Sequence, residues 1–193
     1  MGSIFEFLDK YMEVSAKGRQ LIQNHVVEIH VPKGKIIIQQ GKENSYLYII
    51  KQGIVRGYTT DNEQEITVTL WQEREPFGAI TKMPAERSYQ ALEDCTFFRL
   101  DTMVFRRLME TNLEISNLAR LLFERYFLIK EKRLFQNIHM TAVERYNLFL
   151  TDHPGMIHRV KFIHVASFLG LTPETLSRIH NDQLRTRFLP MYQ

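Results

Sequence analysis

The spacing of apolar and polar positions indicates that the first half of the chain is built from β-strands. Between about Val26 and Leu100, short segments rich in β-branched and aromatic residues are separated by turns that contain Gly, Pro or Asn. These segments are VVEIHV, KIIIQQ, YLYIIK, IVRGYTT, EITVTLW and TFFRL. Several short strands at close spacing are typical of an antiparallel sandwich or barrel, which we predict here.

The period becomes helical after Asp101, and a long uninterrupted helix is predicted next. Between Thr111 and Asn137 there is no Gly or Pro. One side of this helix carries Leu118, Leu121, Leu122, Arg125, Ile129, Lys132 and Gln136, and another carries Phe123, Phe127, Leu128, Leu134 and Phe135. Such a helix has two surfaces to cover. One can pack on the β domain, and a second copy of the helix can cover the other, giving a symmetric dimer. The alternative is a helix wholly buried in a monomer.

The last part of the chain predicts a helix-turn-helix. The helix TAVERYNLFLTD ends at a His-Pro-Gly sequence, and VKFIHVASFLG then leads to Gly170, which suits a left-handed helix end. Thr172 and Pro173 are favoured at the N-cap and first position of the next helix. With Leu176 and Ile179 pointing inward, the outer face is polar, as in a helix that enters a DNA major groove.

The side chains on this outer face match the hydrogen-bonding groups of DNA. Arg178 can donate twice to guanine, Glu174 can accept from a cytosine amino group, and Asn181 can pair with adenine or reach a phosphate. Short hydroxyl side chains suit phosphate oxygens, and these are Thr172, Thr175 and Ser177. The alternative is that Thr172 is only a cap and Arg178 only a solvated charge.

Charge is unevenly distributed in a way that favours a polyanionic partner. The net charge is +3, and residues 155–193 carry 5 Lys and Arg against 2 Asp and Glu. Residues 1–100 carry 12 Lys and Arg against 13 Asp and Glu. The basic excess therefore coincides with the predicted helix-turn-helix.

Composition narrows the class of protein. At 193 residues with 44% hydrophobic and 24% charged content, the chain is typical of a globular protein. Its apolar runs are shorter than the ~20 residues of a membrane span, and the first 15 residues predict an amphipathic helix without a cleavage site. We therefore expect the protein to lie in the cytoplasm.

The single cysteine, Cys95, fits a buried apolar position. We predict no enzyme, no catalytic residue and no metal site, because the seven histidines lack metal-binding spacing and nucleotide or nucleophile motifs are missing.

The order of these parts resembles the Crp/Fnr superfamily of bacterial transcription regulators. The segment TAVERYNLFLTDHPGMIHRV...VASFLGLTPETLSRI is similar to that family's "ER...FL...P" and "IA..LG.T.ETVSR" pattern, and VPKGKIIIQQGKENSYLYIIKQGIVRGY has the glycine placement of its β-roll. The resemblance implies an α+β fold. Residues 1–110 would form an antiparallel, jelly-roll effector domain like a cyclic nucleotide-binding domain, residues 111–138 the dimerisation helix, and residues 139–193 an all-α helix-turn-helix domain.

The function implied by the resemblance is that of a homodimeric, sequence-specific and effector-controlled transcription regulator. The dimer would form through the 111–138 helix and bind near-palindromic double-stranded DNA with half-site centres about 34 Å apart. RNA polymerase is a further candidate partner, and no membrane partner is expected. The alternative is a ligand-binding or protein-interaction module that has lost DNA binding.

Two departures from the family pattern affect DNA binding. Pro173 stands where many members have a base-reading Arg, so we expect a different operator. The segment LRTRFLPMYQ is too short for the winged hairpin that usually follows, so we expect a domain without a full wing and fewer DNA backbone contacts.

A candidate effector site lies in PFGAITKMPAERSYQAL. Gly78, Arg87 and Ser88 match the family's phosphate cradle, but Ala79 replaces the Glu that holds the ribose hydroxyl and Tyr89 replaces a small residue. Loss of a hydrogen bond to a charged group costs about 1.5–3 kcal/mol, which disfavours a cyclic nucleotide.

We therefore predict no cofactor, and we expect either an unidentified effector or none. Arg87 is interpreted as an anion clamp. The alternative is an ion pair between Arg87 and Glu86 or Glu93.

Overall fold

The computed structural model describes residues 4–78 and 83–188, with side chains as far as residue 185. Two short helices come first, α1 (Ile4–Leu8) and α2 (Ala16–Gln23), where the sequence predicted a single N-terminal helix. Ser15 separates them because its hydroxyl accepts the Gly18 amide at 3.1 Å and so caps α2. The Glu114 carboxylate in turn accepts from the Ser15 amide and hydroxyl, at 2.6 and 2.7 Å.

Two antiparallel four-stranded sheets form the β-roll within the described residues. The strands are β1 (Val26–Val31), β2 (Ile36–Ile38), β3 (Tyr46–Gln52), β4 (Val55–Asp61), β5 (Gln64–Trp71), β6 (Pro76–Gly78), β7 (Ser88–Ala91) and β8 (Cys95–Asp101). The sheet orders are β1-β8-β3-β6 and β2-β7-β4-β5. The six predicted strands are confirmed. The sequence missed β6 and β7, whose three and four residues are too short to display an alternating pattern.

Aromatic side chains fill much of the space between the two sheets. Phe77 lies at the centre, with its ring centroid 4.9 Å from Tyr48, 5.6 Å from Tyr89 and 5.3 Å from Phe97. Trp71 stacks on Tyr89, with the two ring centroids 5.3 Å apart. Offset and edge-to-face contacts of this kind are favourable beyond the area they bury, so the interior of the roll is a packed core.

The helices that follow the roll are α3 (Thr102–Thr111), α4 (Leu113–His139), α5 (Ala142–Asp152), α6 (Met156–Arg159), α7 (Phe162–Leu169) and α8 (Pro173–Phe188). The long helix is confirmed: α4 has 27 residues and extends about 40 Å. Asn112 begins it by accepting the Ile115 amide at 3.1 Å. The predicted domain limits at residues 110 and 138 lie within three residues of the ends of α4 and stay a prediction.

One side of the N-terminal third of α4 is buried, and the remainder of the helix is largely exposed. Ile115, Leu118 and Ala119 are 1–3% exposed and pack against the N-terminal helices and α3. Farther along, Phe127 and Leu134 are 65% and 62% exposed. Of the first predicted stripe, Leu118 is buried whereas Ile129 is 46% exposed, and the second stripe presents apolar side chains to solvent.

The helix-turn-helix and the β-roll share one apolar core. Ile54 and Leu70 of the roll are 0% and 5% exposed and belong to the same cluster as Tyr146, Val165 and Leu176 of the C-terminal helices. This packing fixes the helix-turn-helix against the roll. None of the helices in the described ranges combines the length and apolar character needed to cross a bilayer.

Cys95 is buried, as the sequence predicted, at 3% exposed. Burial is the main cause that raises the pKa of its thiol to about 11, so the group is protonated at neutral pH. The thiol donates to the backbone carbonyl of Glu93 at 3.2 Å. Cys95 thus acts as a small core residue in strand β8.

Candidate nucleic-acid interface

The turn between α7 and α8 has the geometry predicted from its sequence. Gly170 ends α7 with φ 68° and ψ 37°, in the left-handed region that glycine tolerates. The Leu171 amide donates back to the Ala166 carbonyl at 2.9 Å, which satisfies the helix end. The Thr172 hydroxyl accepts the Thr175 amide at 3.2 Å and so caps α8. The break in the helix is therefore encoded locally.

The inner side of α8 is held by apolar contacts and by polar pairs with α5, among them Tyr146–His180 and Asn147–Gln183. Leu176 and Ile179 are 0% and 7% exposed, which confirms that they point inward. The Tyr146 hydroxyl lies 2.6 Å from Nδ1 of His180, and the two rings meet edge to face. This pair connects α8 to α5. The pair could not be predicted from the sequence, because nothing in either segment indicates the other as a partner.

The outer side of α8 carries the predicted DNA-binding residues toward solvent. Exposed side chains there are Thr172, Glu174, Ser177, Arg178 and Asn181, and Thr175 is half-buried. Hydrogen bonds from its own amide and from the Thr172 hydroxyl lower the pKa of the Glu174 carboxyl, so it is ionised at neutral pH. The chain thus brings one carboxylate acceptor, one guanidinium and one amide together along about two helical turns.

Arg145, in the first turn of α5, connects this helix to the ends of α4 and α7. Its guanidinium donates to the carbonyls of Leu169, at 3.1 Å, and Met140, at 2.7 Å. Its neighbour Glu144 completes a capping box with Thr141 at the start of α5. The "ER" pair therefore caps the start of α5 and joins this helix to the ends of α4 and α7.

A buried arginine connects the helix-turn-helix to the roll. Arg56 is 4% exposed, pairs with Glu65, and donates to Gln90 Oε1 at 2.9 Å. Its Nη1 lies 3.0 Å from Nδ1 of His164 in α7. Since arginine only donates, Nδ1 must accept. Burial, followed by the charges of Arg56 and Lys161, lowers the pKa of His164 to about 4, so its ring is neutral at physiological pH.

A second polar contact between the β-roll and the C-terminal helices is solvent-accessible. Arg159 donates to Glu73 Oε1 at 2.6 Å and also pairs with Glu93. The Thr67 amide of strand β5 donates to the Ser167 hydroxyl at 2.9 Å. These contacts and the shared core hold α7 against strand β5.

The predicted effector residues lie on strands that face each other across the roll. Gly78 has φ 109°, and a Cβ there would come within 2.6 Å of the Tyr46 carbonyl oxygen. Ser88 is 5% exposed, and its hydroxyl accepts the Gln40 amide at 3.0 Å. Arg87 Nη2 lies 3.5 Å from Glu86, the ion pair given as the alternative to an anion clamp.

Two sequence predictions fall outside the described residues. Ala79, which replaces the family's ribose-binding Glu, is one of residues 79–82. The wing prediction concerns the end of the chain, where α8 continues to Phe188 and residues 189–193 follow.

Part of the chain, containing the β-roll, is similar to known proteins. Residues 28–112 match the family described as "Cyclic nucleotide-binding domain". The cAMP-dependent protein kinase regulatory subunit of Eremothecium gossypii is 30% identical over 117 residues, which cover 59% of this chain. They cover 24% of that relative, so the match spans about a quarter of its length.

Solved structures match a larger part of the chain. FixK2 from Bradyrhizobium japonicum superposes with a TM-score of 0.77 at 16% identity, covering 87% of this chain and 89% of that one. A protein from Eubacterium rectale, described as a Crp/Fnr-family transcriptional regulator, superposes with a TM-score of 0.70 at 18% identity. The superposition covers 93% of this chain and 88% of that one. Residues 28–112 are therefore similar to the cyclic nucleotide-binding domain family, and the chain shares the fold of FixK2 and of the Crp/Fnr-family regulator from Eubacterium rectale.

Proposed function

We propose that the chain is a sequence-specific DNA-binding transcription regulator that works as a homodimer under control of its β-roll. The observation that carries this proposal is the division of α8 into two sides. Leu176 and Ile179 are buried, whereas Glu174, Ser177 and Arg178 are exposed on a helix that begins at a capped turn. A helix presented in this way can place donors and acceptors against base edges in the major groove.

The proposed dimer forms along the exposed side of α4. Phe123, Phe127, Leu134 and Ile138 follow one another at intervals of four, seven and four residues, which keeps them on one helix face. They are 37%, 65%, 62% and 67% exposed. A stripe of large apolar side chains on a long helix is favourable only when something covers it, and a two-fold related α4 does so with matching spacing.

Control by a cyclic nucleotide is disfavoured. Tyr89 stacks against both Trp71 and Phe77 in the space between the sheets, so a base or sugar would have to displace an aromatic contact there. Ser88 and Arg87 also have partners within the protein, Gln40 and Glu86. We propose that a different effector controls the dimer.

Selection of bound fragments from a random double-stranded DNA pool tests the proposal. The full chain should enrich a near-palindromic site with half-sites about one helical turn apart, and its affinity should fall steeply with added salt. The selection is run with and without a small-molecule cell extract to detect dependence on an effector. Failure to enrich any sequence, together with salt-independent retention, would instead indicate a ligand-binding or protein-interaction module.

A further inference from the structure

A cleft of about 530 Å³ lies where the β-roll, α4 and the helix-turn-helix meet. It borders the aromatic core between the sheets at Trp71 and is separate from the outer face of α8. The lining residues that matter here are Trp71, Glu75, Tyr126, Lys130, Arg133 and Phe168. A ligand in this cleft would contact all three parts of the chain at once.

The cleft is rich in positive charge. Its lining contains seven Lys and Arg residues against three Asp and Glu residues. Two of the acids are already engaged: Glu73 pairs with Arg159, and Asp152 lies 3.4 Å from Lys132. The third, Glu75, accepts the Gln72 amide at 2.8 Å, and burial is the main cause that raises its pKa.

Lys130 and Arg133 are half-buried cations held against aromatic rings. Lys130 Nζ lies 5.9 Å from the Trp71 ring centroid and 5.1 Å from that of Tyr126. The Arg133 guanidinium lies 3.7 Å from the Phe168 ring centroid and donates to the Phe168 carbonyl at 3.1 Å. In the part of the chain that the structure describes, neither cation has a carboxylate within 4.0 Å.

These cations repel one another as well as being partly removed from water. Burial and the charges of Arg87 and Arg133 lower the pKa of Lys130 to about 8, although Glu75 acts in the opposite direction. Burial and Arg87 lower the pKa of Arg133 to about 10. Side chains from the roll and from α4 thus place several positive charges close to one another. A bound anion would remove this repulsion.

We propose that the cleft between strand β5, α4 and α7 binds an oxyanion carrying two or more negative charges, held by Lys130 and Arg133. Phosphate-containing and polycarboxylate compounds share this chemistry. The site does not depend on DNA binding by α8. Its walls come from the roll, α4 and the helix-turn-helix, so occupancy would strengthen the contact among them.

The experiment uses the single tryptophan of the chain as its reporter, because Trp71 lines the cleft. The full chain is titrated with sodium pyrophosphate and, separately, with citrate, each against sodium chloride at matched ionic strength. A saturable change in Trp71 fluorescence is expected with at least one of the two anions, together with a higher unfolding temperature. The two titrations distinguish a phosphate ligand from a carboxylate ligand.

Three variants locate the site. Lys130→Met should weaken the binding of the active anion by about tenfold or more, read both from the fluorescence midpoint and from the shift in unfolding temperature. Lys130→Arg should retain binding, and Lys17→Met, at an exposed position of α2, should match the wild type. The proposal is overturned if neither anion differs from chloride, or if Lys130→Met binds as tightly as the wild type.

Discussion

The hydroxyl of Tyr146 in α5 and Nδ1 of His180 in α8 lie 2.6 Å apart, in a site where Tyr146 is 0% exposed. The hydrogen bond joins the first helix of the C-terminal domain to the candidate recognition helix from beneath. It leaves the outer side of α8 free while fixing the rotation of the helix about its own axis.

Loss of this hydrogen bond should weaken the fold of the C-terminal domain. We expect Tyr146→Phe to reduce the free energy of unfolding by about 0.5–1.5 kcal/mol, because the ring stays and only the hydroxyl is removed. Urea unfolding followed by circular dichroism measures the difference. Tyr126→Phe, at a position 45% exposed, is the matched control and should change little. Equal stability of the Tyr146 variant and the wild type would show that the pair does not anchor α8.

Arg178 should contribute to the choice of bases. Arg178→Ala is expected to cost about 1–3 kcal/mol per half-site and to relax preference at one base pair of each half-site. Binding to the selected site and to single-base variants of it measures both effects. Arg106→Ala removes an exposed charge from α3 and should leave base preference unchanged. If Arg178→Ala weakens binding equally on every sequence, Arg178 contacts phosphate and not a base.

The exposed apolar stripe of α4 should determine the oligomeric state. The double substitution Phe127→Glu and Leu134→Glu places like charges on both sides of the proposed seam, so we expect monomers in sedimentation velocity experiments. The control substitution Met103→Glu adds a negative charge at another exposed apolar position, on α3, where Met103 is 54% exposed. The Met103→Glu variant should remain a dimer. A wild-type chain that sediments as a monomer at all concentrations would contradict the proposed interface.

The lowered pKa of Lys130 predicts a pH-dependent effect on stability. The group holds its proton less tightly in the folded chain, at a pKa of about 8, than at its ordinary value of 10.5. Below pH 8 the charge on Lys130 therefore lowers the free energy of unfolding by its full amount. This destabilisation declines as the pH rises toward 10.5. We expect Lys130→Met to gain stability relative to wild type at pH 7, with a smaller gain at pH 9.5. Urea unfolding at the two pH values tests this, and a gain that does not depend on pH would contradict it.

Six of the strands, the long helix and the helix-turn-helix could be predicted because each has a local signal. Alternation identifies β5, the lack of Gly and Pro identifies α4, and Gly170, Thr172 and Pro173 define the turn. Strands β6 and β7 have no such signal, because each is held by pairing with residues far away in the chain. The N-terminal region was predicted as one helix for a similar reason, since the cap at Ser15 is completed by Glu114, 99 positions later.

The sequence by itself determined the order of the parts, the polar side of α8 and the apolar side of α4, because helix period, caps and turn residues act over a few positions. Only the tertiary structure decided that Arg56 meets His164, that Tyr146 meets His180, and that Lys130 and Arg133 share a cleft with Trp71. These relationships depend on which distant surfaces pack together. Burial and charge then alter the chemistry of each group in ways that no short segment encodes.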